Sequence, residues 1–425
     1  MKKNILFVGD LRAANNYGAI ATTETLINML TDEYQEATFK FIDYRSLYGP
    51  TPINGFPKST KSIVASTKEK IISLLPKPLI KTYIKLFKKA KPSVDFVPYK
   101  LSQFESYYQN MKNGTCLQYE KRLLEWADIV YINGEGNIVN GTDKYGKYRI
   151  GARYILFMAW LGRVKFNLPT LIVNHTVDPN NYNAFEIIEA VYPKLDKVFV
   201  RETLSIPLLE KHNVKNAEFV ADALFSFKSD ENWEPSNTLR NQIDFSKPFI
   251  CLGDSSGIKN AYSQVKWDVC AVYSDIIAGL RTIVDQIVFI DGYNGCNENI
   301  NRVIKQNKIG HIYLNNCSYK ELYQVLKRAK LFVSGRWHAS ILSILANTPI
   351  LCWGADSHKT RSLYTLLDYK YRFFEVASLP ANIPELIDEA KRITNDAQQI
   401  KEIMTVKVNE YSTLTRKNIT VLKDF

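Results

Sequence analysis

The sequence of 425 residues has no run of about 18 consecutive apolar residues, which excludes an ordinary transmembrane helix. Its opening, MKKNILFVGD, has two lysines, but the apolar run at residues 5–8 is too short for a signal-peptide core and reads as a first buried strand. Six cysteines (Cys116, Cys251, Cys270, Cys296, Cys317 and Cys352) lie scattered without the paired spacing of a zinc site, so free thiols in a reducing cytoplasm are expected. There is no P-loop, no H-E-x-x-H, no G-x-S-x-G and no G-x-G-x-x-G, so the common nucleotide, zinc-hydrolase, serine-hydrolase and dinucleotide signatures are missing. An acidic D-x-D metal motif is also absent, and no metal is expected. What these absences leave is chemistry built on arginines, histidines and carboxylates.

The formal net charge of +12 is unevenly spread. Residues 58–100 hold eleven lysines against only Glu69 and Asp95. No nucleic-acid recognition motif accompanies these lysines, so a nucleic-acid partner is not expected. Within the segment Ile80, Tyr83, Ile84 and Phe87 recur at helical spacing, with Lys81, Lys85, Lys88 and Lys89 interleaved. That pattern suits a helix lying on anionic lipid headgroups, making 68–91 a peripheral contact with the inner face of the plasma membrane. It suits equally an ordinary surface helix with a solvated lysine face.

Short β-rich runs alternate with helical patterns, the signature of parallel α/β units. Strands are expected at 5–8, 39–42, 129–132, 170–173 and 198–200, then at 249–254, 287–290, 311–314, 331–333 and 349–353. Both sets begin with a strand ending Gly-Asp, at Gly9-Asp10 and Gly253-Asp254. The expected organisation is an N-terminal α/β domain over 1–230, a polar linker at 231–248, a C-terminal α/β domain over 249–395 and a helical segment over 396–425 that packs back across either half. The fold class is therefore α/β with two Rossmann-like domains.

The sharpest local feature is "LFVSGRWHASILSILANTPIL" at 331–351. A strand ends at Ser334-Gly335, and a helix begins almost at once. Ligands of open α/β sheets bind at that rim, where a helix N-terminus offers unpaired N–H groups to an anion. Arg336 adds a planar fork suited to carboxylate or phosphate, and His338 a proton donor that acts once an anionic substrate is bound. Arg201, in "KVFVRETLS", has the same strand-to-helix setting, with Ser205 following. Two such arginines facing one cleft would hold a small dianion; alternatively Arg201 forms an ion pair with Glu202 or another carboxylate.

Three further strand ends carry candidate residues. "NNYGAIATTETL" at 15–26 places Asn16 and Gly18 after the first strand. "YINGEGNIVNG" at 131–141 sets Gly134 and Gly136 around Glu135, followed by Asn137. Glycines let the backbone approach a ligand closely, and a carboxylate held there accepts protons or binds sugar hydroxyls. "VNHTVD" adds His175, a histidine of a type more often structural than catalytic.

Taken together, "NGEG" at 133–136, "VRE" at 200–202 with Ser205, "VADALF" at 220–225 and "VSGRWHASILSILANTPIL" at 333–351 resemble the polysaccharide pyruvyl transferases. The resemblance implies a glycosyltransferase-B-like pair of domains with a central cleft. It implies transfer of the enolpyruvyl group of phosphoenolpyruvate, a co-substrate and not a resident cofactor, onto two hydroxyls of a free or lipid-linked sugar. The products would be a pyruvate ketal and phosphate, and the setting the cytoplasmic assembly of an exopolysaccharide or capsule, without a metal. On this reading Arg336 and His338 are linked to donor binding and catalysis, Arg201 to donor binding, and Gly335 and Ser340 flank the donor. Glu135 or Asp222 is the base that takes the hydroxyl proton. Asn16, Gly18, Gly134, Gly136, Asn137 and His175 belong to the acceptor side. Two alternatives stand beside it: a nucleotide-sugar-dependent glycosyltransferase of the same fold, and an inactive carbohydrate-binding or scaffold protein.

Overall fold

The computed structural model describes residues 3–45, 97–139, 149–179, 182–229, 232–259, 267–292 and 298–425. Most of the lysine-rich segment, including the helix expected around 80–87, lies outside them, as does Cys296.

The described chain forms two parallel sheets. The first has the order β2-β1-β3-β4-β5-β6, where β1 is Asn4–Val8, β2 Thr38–Ile42, β3 Ile129–Glu135, β4 Thr170–His175, β5 Lys197–Val200 and β6 Ala217–Phe219. The second has the order β11-β10-β7-β8-β9, with β7 Phe249–Ser255, β8 Gln286–Ile290, β9 Gly310–Ile312, β10 Phe332–Gly335 and β11 Ile350–Cys352. All described pairings are parallel, and the central strands are buried on both faces, which is why they read as continuous apolar runs. Ile5, Leu6, Phe7 and Val8 of β1 are essentially fully buried, at roughly 1.5–3 kcal/mol of transfer free energy each. The ten expected strands all form, with ends shifted by up to three residues. The eleventh, β6, is three residues long and carries Glu218 at its centre, so no apolar run announces it.

Four helices matter for the site: α1 (Tyr17–Glu33), α2 (Trp337–Leu345), α3 (Lys359–Leu366) and α4 (Ala397–Thr415). Tyr17 and Ala21 of α1 share an apolar cluster with the second sheet, and the Tyr17 hydroxyl donates to the Cys317 carbonyl at 2.7 Å. The stretch at 231–248 is tied down rather than loose: Asn237–Arg240 is a helical turn, and Leu239 and Ile243 are buried with the second domain's core. The C-terminal segment touches both halves. Ile400, Met404 and Tyr411 of α4 pack in the second domain's cluster, whereas Ile419, Val421 and Leu422 pack beneath the first sheet. Tyr131 and Tyr34 fix that return by donating to the Asn418 and Ile419 carbonyls, each at 2.8 Å.

This strand order positions the site. The chain reverses direction across the first sheet between β1 and β3, and across the second between β7 and β10. Connections leave opposite sides of the sheet at such points and open a crevice at the strands' C-terminal ends. The four strands end at Val8, Glu135, Ser255 and Gly335, and the helices that follow β1 and β10 are α1 and α2.

Candidate active site

A cavity of about 210 Å³ lies between these ends, lined by Asn16–Ala19, Glu135, Gly136, Arg149, Arg201, Ser256, Gly292, Gly335–Ala339, Asp356 and Lys359, among others. Both domains contribute charged groups, and each is held by identifiable partners.

Arg201 is the hub. Its side chain is 1% exposed. Nε donates to Thr176 Oγ1 at 3.0 Å, and Nη1 lies 3.0 Å from Asp222 Oδ2 and 3.4 Å from Glu135 Oε1. The same Nη1 meets His338 Nε2 from the other domain at 2.9 Å. Glu202 is not its partner, so the ion pair forms with Asp222 and Glu135. His338 Nε2 also lies 3.3 Å from Glu135 and 3.5 Å from Asp222. The imidazole therefore has an apt neighbour in either state: the guanidinium donates to a bare Nε2, and the two carboxylates accept from a protonated one.

The two carboxylates differ. Asp222 is fully buried, and Oδ1 accepts from Thr22 Oγ1 at 2.8 Å and Leu224 N–H at 2.9 Å. Its Oδ2 accepts from Arg201 and from Trp337 Nε1, both at 3.0 Å. Burial by itself would raise this carboxyl, but Arg201, His338 and Trp337 hold it well below the usual carboxylate range. With four donors and no solvent contact it orients Arg201 and Trp337 and has no open face for a substrate. Glu135 lines the cavity with 13% of its side chain exposed. Burial opposes its charge too, and Arg201, His338 and the Gly136 N–H lower it below the usual value. Its backbone sits at φ 45°, a left-handed conformation that costs a non-glycine residue about 1–2 kcal/mol, and its carboxylate accepts from the Gly136 N–H.

Arg336 forms a bidentate pair with Asp254 at the end of β7, Nε–Oδ1 2.5 Å and Nη2–Oδ2 2.8 Å. The echo of Gly9-Asp10 and Gly253-Asp254 thus has a chemical counterpart, since Asp10 makes the same two-point contact with Arg12. Both arginines of the expected anion clamp are matched by carboxylates, Arg201 by Asp222 and Glu135 and Arg336 by Asp254. The N-terminus of α2 complements them. Arg336 is its N-cap in an extended conformation, and no side chain caps the helix, leaving the first-turn N–H groups of Trp337, His338 and Ala339 at the cavity. The start of α1 is different, because Asn16 Oδ1 accepts from Gly18 and Ala19.

Gly18 serves by being small. A Cβ there would lie 2.5 Å from Cγ and 2.6 Å from Cβ of His338. Only hydrogen at this position lets the imidazole rest on α1. Gly9, at φ 90°, is similar: a Cβ would run into the Asn133 carbonyl of the neighbouring strand.

Of the remaining expected residues, Gly136 and Gly335 line the cavity, but Ser340, Gly134, Asn137 and His175 are not among its lining residues. Ser340 is buried with its hydroxyl 3.7 Å from Cys352 Sγ. His175 is fully buried; Nδ1 is 2.8 Å from the Phe199 carbonyl and Nε2 3.1 Å from the Tyr192 hydroxyl, and burial pushes its pKa down to about 4. A Cβ at Gly134 would strike that imidazole, so this glycine packs against His175. Asn137 donates to the Gly134 carbonyl at 3.0 Å and braces the turn after β3.

Three groups escaped sequence reasoning. Arg149, Asp356 and Lys359 line the cavity, with Lys359 Nζ 2.7 Å from Asp356 Oδ1. Burial opposes the Asp356 charge, but Lys359 outweighs it and brings the carboxyl down to about 2. Behind the site runs a buried amide-hydroxyl chain. Asn133 Nδ2 donates to Thr23 and Gly9, Asn174 Nδ2 to Thr22 and Asn133, and Thr22 to Asp222. Among the described residues no cluster of three or more His, Cys, Asp or Glu side chains is arranged to hold a metal ion, and no helix is long and apolar enough to cross a membrane.

Comparison with known proteins agrees with this geometry. Solved structures of similar fold include the Medicago truncatula UGT71G1 complexed with UDP-glucose, at 13% identity and TM-score 0.54, covering 100% of this chain and 98% of that one. A putative UDP-N-acetylglucosamine 2-epimerase from Listeria monocytogenes matches at 11% identity and TM-score 0.57, covering 100% and 95%. Anabaena Alr3699/HepE in complex with UDP and glucose matches at 12% identity and TM-score 0.55, covering 100% of both chains. At such identities the likeness concerns the fold, which is a glycosyltransferase-B-like pair of α/β domains. No curated protein sequence matches the chain. The family model of polysaccharide pyruvyl transferase matches residues 16–357, a span that contains every cavity-lining residue except Lys359, and the chain belongs to that family.

Proposed function

We propose that the protein transfers the enolpyruvyl group of phosphoenolpyruvate to two hydroxyls of one sugar unit of a polysaccharide or its lipid-linked precursor. The observation that carries this reading is the meeting of Arg201, His338 and Glu135 across the domain boundary, at the uncapped start of α2. Phosphoenolpyruvate brings a carboxylate and a phosphate to a site that has N–H groups, two arginines and an imidazole. The α2 N-terminus and Arg336 suit one anionic group, and Arg201 the other.

In the reaction His338 delivers a proton to the methylene carbon, the π pair forms the new C–H bond, and the central carbon becomes electrophilic. A sugar hydroxyl attacks that carbon while Glu135, the carboxylate open to the cavity, takes its proton. The carbon–oxygen bond to phosphate then breaks with the electron pair leaving on phosphate. The second hydroxyl attacks the resulting cation and closes the ketal, its proton returning to the neutral imidazole of His338 while the released phosphate takes the proton held by Glu135. Asp222 orients Arg201, and Asp254 orients Arg336. We assign the acceptor to the part of the cavity near Arg149, Asp356 and Lys359, and the work to the cytoplasmic face of polymer assembly.

The test is to incubate the protein with phosphoenolpyruvate and oligosaccharide or lipid-linked acceptors and to measure phosphate release and a mass gain on the acceptor. Turnover of a nucleotide-sugar with no phosphate released from phosphoenolpyruvate would replace this reading by the glycosyltransferase one. Neither activity, together with acceptor binding, would indicate a carbohydrate-binding scaffold.

A further inference from the structure

Beside Arg201 in the chain, Glu202 points into a second polar cluster outside the cavity, again made by both domains. Glu202 is fully buried. Its carboxylate accepts from the Ser205 N–H at 3.1 Å, from the Ser205 hydroxyl, and from Ser362 Oγ on α3 at 3.0 Å. His358, the N-cap of α3, places Nε2 3.1 Å from Glu202 Oε1 and Nδ1 3.4 Å from Asp178 Oδ2. The His358 backbone N–H donates to the same Asp178 oxygen at 2.9 Å. Asp178 and Glu202 belong to the first domain, and His358 and Ser362 to the second.

The arrangement resembles a Ser-His-Asp triad, because Ser205 Oγ lies 3.4 Å from His358 Nε2. Ser205 is fully buried, however, and its hydroxyl donates to Glu202, so it has neither access nor a proton to give the histidine. The cluster is a domain contact. Its charges are two carboxylates facing one imidazole, with Lys359 nearby but engaged by Asp356.

We propose that His358 is a positioning residue whose proton holds the two domains together behind Arg201. A buried carboxylate at a domain boundary needs a countercharge, and His358 is the cation the second domain supplies to Glu202. Loss of its proton leaves the buried Glu202 charge with its amide and hydroxyl donors but without a cation, and separating the domains rehydrates it. Since Glu202 follows Arg201 directly, that separation also draws Arg201 from His338. The apolar contacts through Tyr17 and Ala21 do not titrate. The other boundary histidine, His338, faces a guanidinium as well as two carboxylates, so its variants separate the two effects.

The direction follows from linkage. Burial works against the His358 charge, but Glu202 and Asp178 outweigh it and raise the folded value above that of free histidine, about 6.5. The contact is therefore fully formed below about pH 6.5 and weakens as pH rises from there to the raised value, the closed-to-open ratio falling by at most about tenfold per unit within that window and levelling off above it. The experiment is small-angle scattering of the full chain from about pH 5.5 to about pH 9, beside donor KM and kcat over the same range. The wild type is expected to expand, and KM to rise more than kcat falls, as pH increases. His358→Gln is expected to show the expanded form throughout. Glu202→Gln, which removes the buried charge and keeps one accepting oxygen, is expected to stay compact at every pH. Circular dichroism confirms that each variant is folded; should either fail, Asp178→Asn is expected to shift the transition to lower pH. A wild-type radius of gyration unchanged across the range, or a His358→Gln protein that retains the transition, overturns the proposal. The kinetic arm rests on the function proposed above, whereas the scattering arm does not, so the failure of either idea is seen separately.

Discussion

Replacing Gly18 by alanine tests the site with a single methyl group. Its Cβ would lie 2.5 Å from Cγ and 2.6 Å from Cβ of His338, whereas carbon atoms rest about 3.5–4.0 Å apart. The imidazole must therefore withdraw by about 1 Å, enough to break its 2.9 Å contact with Arg201. A misplacement of that size costs roughly 10²-fold in rate when the displaced group carries the chemistry. Stability should fall by no more than about 2.5 kcal/mol. Alanine is favoured over glycine in a helix by about 0.5–1 kcal/mol, and the strain of overpacking is about 1–3 kcal/mol, so the two partly cancel. The assay is phosphate release from phosphoenolpyruvate with an acceptor, read beside a thermal melt. Gly114→Ala is the control: it lies in a left-handed turn at φ 79° with nothing within 4 Å, so it should lose some stability and no activity. A Gly18→Ala enzyme with wild-type kcat would refute the assignment of His338. Loss of activity accompanied by unfolding would refute the claim that Gly18 serves the site and not the fold.

Asp222→Asn removes one half of a buried pair and should cost about 3–5 kcal/mol in denaturant melts at neutral pH. Because its folded pKa is depressed, the wild-type contribution is present above the unfolded value of about 3.9 and lost as pH falls through the lower folded value, so the variant's deficit should shrink in acid; a deficit below about 1 kcal/mol at pH 7 would contradict this. Arg336→Lys keeps the charge but cannot make the two-point contact with Asp254, so donor KM measured by initial rates should rise at least tenfold with little change in melting temperature. His175→Asn should lower stability through its buried partners Tyr192 and Phe199 while leaving kcat of the folded fraction unchanged, because the ring does not line the cavity.

Much of this arrangement was legible in the residues themselves. Apolar runs marked ten strands, because central parallel strands are buried on both faces and tolerate few polar residues. The corner at Ser334-Gly335-Arg336 was expected at the sheet's C-terminal rim, and Gly335 and Arg336 do line the cavity there. Long-range pairing was not legible. Asp254 and Arg336 are 82 positions apart, and only the strand order brings them together. Asp222 stood beside Glu135 as one of two candidate bases, and in the fold four donors close around it. His358 follows "WGADS", which has no motif, and its meaning depends on Glu202, 156 positions earlier and in the other domain. His175 stood at a strand end, as a ligand would, but a strand's last side chain can face the helix layer as well as the crevice, and here it meets Tyr192.

The central claim is that phosphoenolpyruvate is the donor at the Arg201–His338 junction. The most direct measurement is single-turnover phosphate release from phosphoenolpyruvate with a sugar acceptor, comparing wild type, Arg201→Ala and His338→Ala, with acceptor mass followed in parallel. The account predicts stoichiometric phosphate and a ketal-bearing acceptor from the wild type, and at least a hundredfold loss in both folded variants. Phosphate release unaffected by either substitution, or none from the wild type with any acceptor while a nucleotide-sugar is consumed, would contradict it.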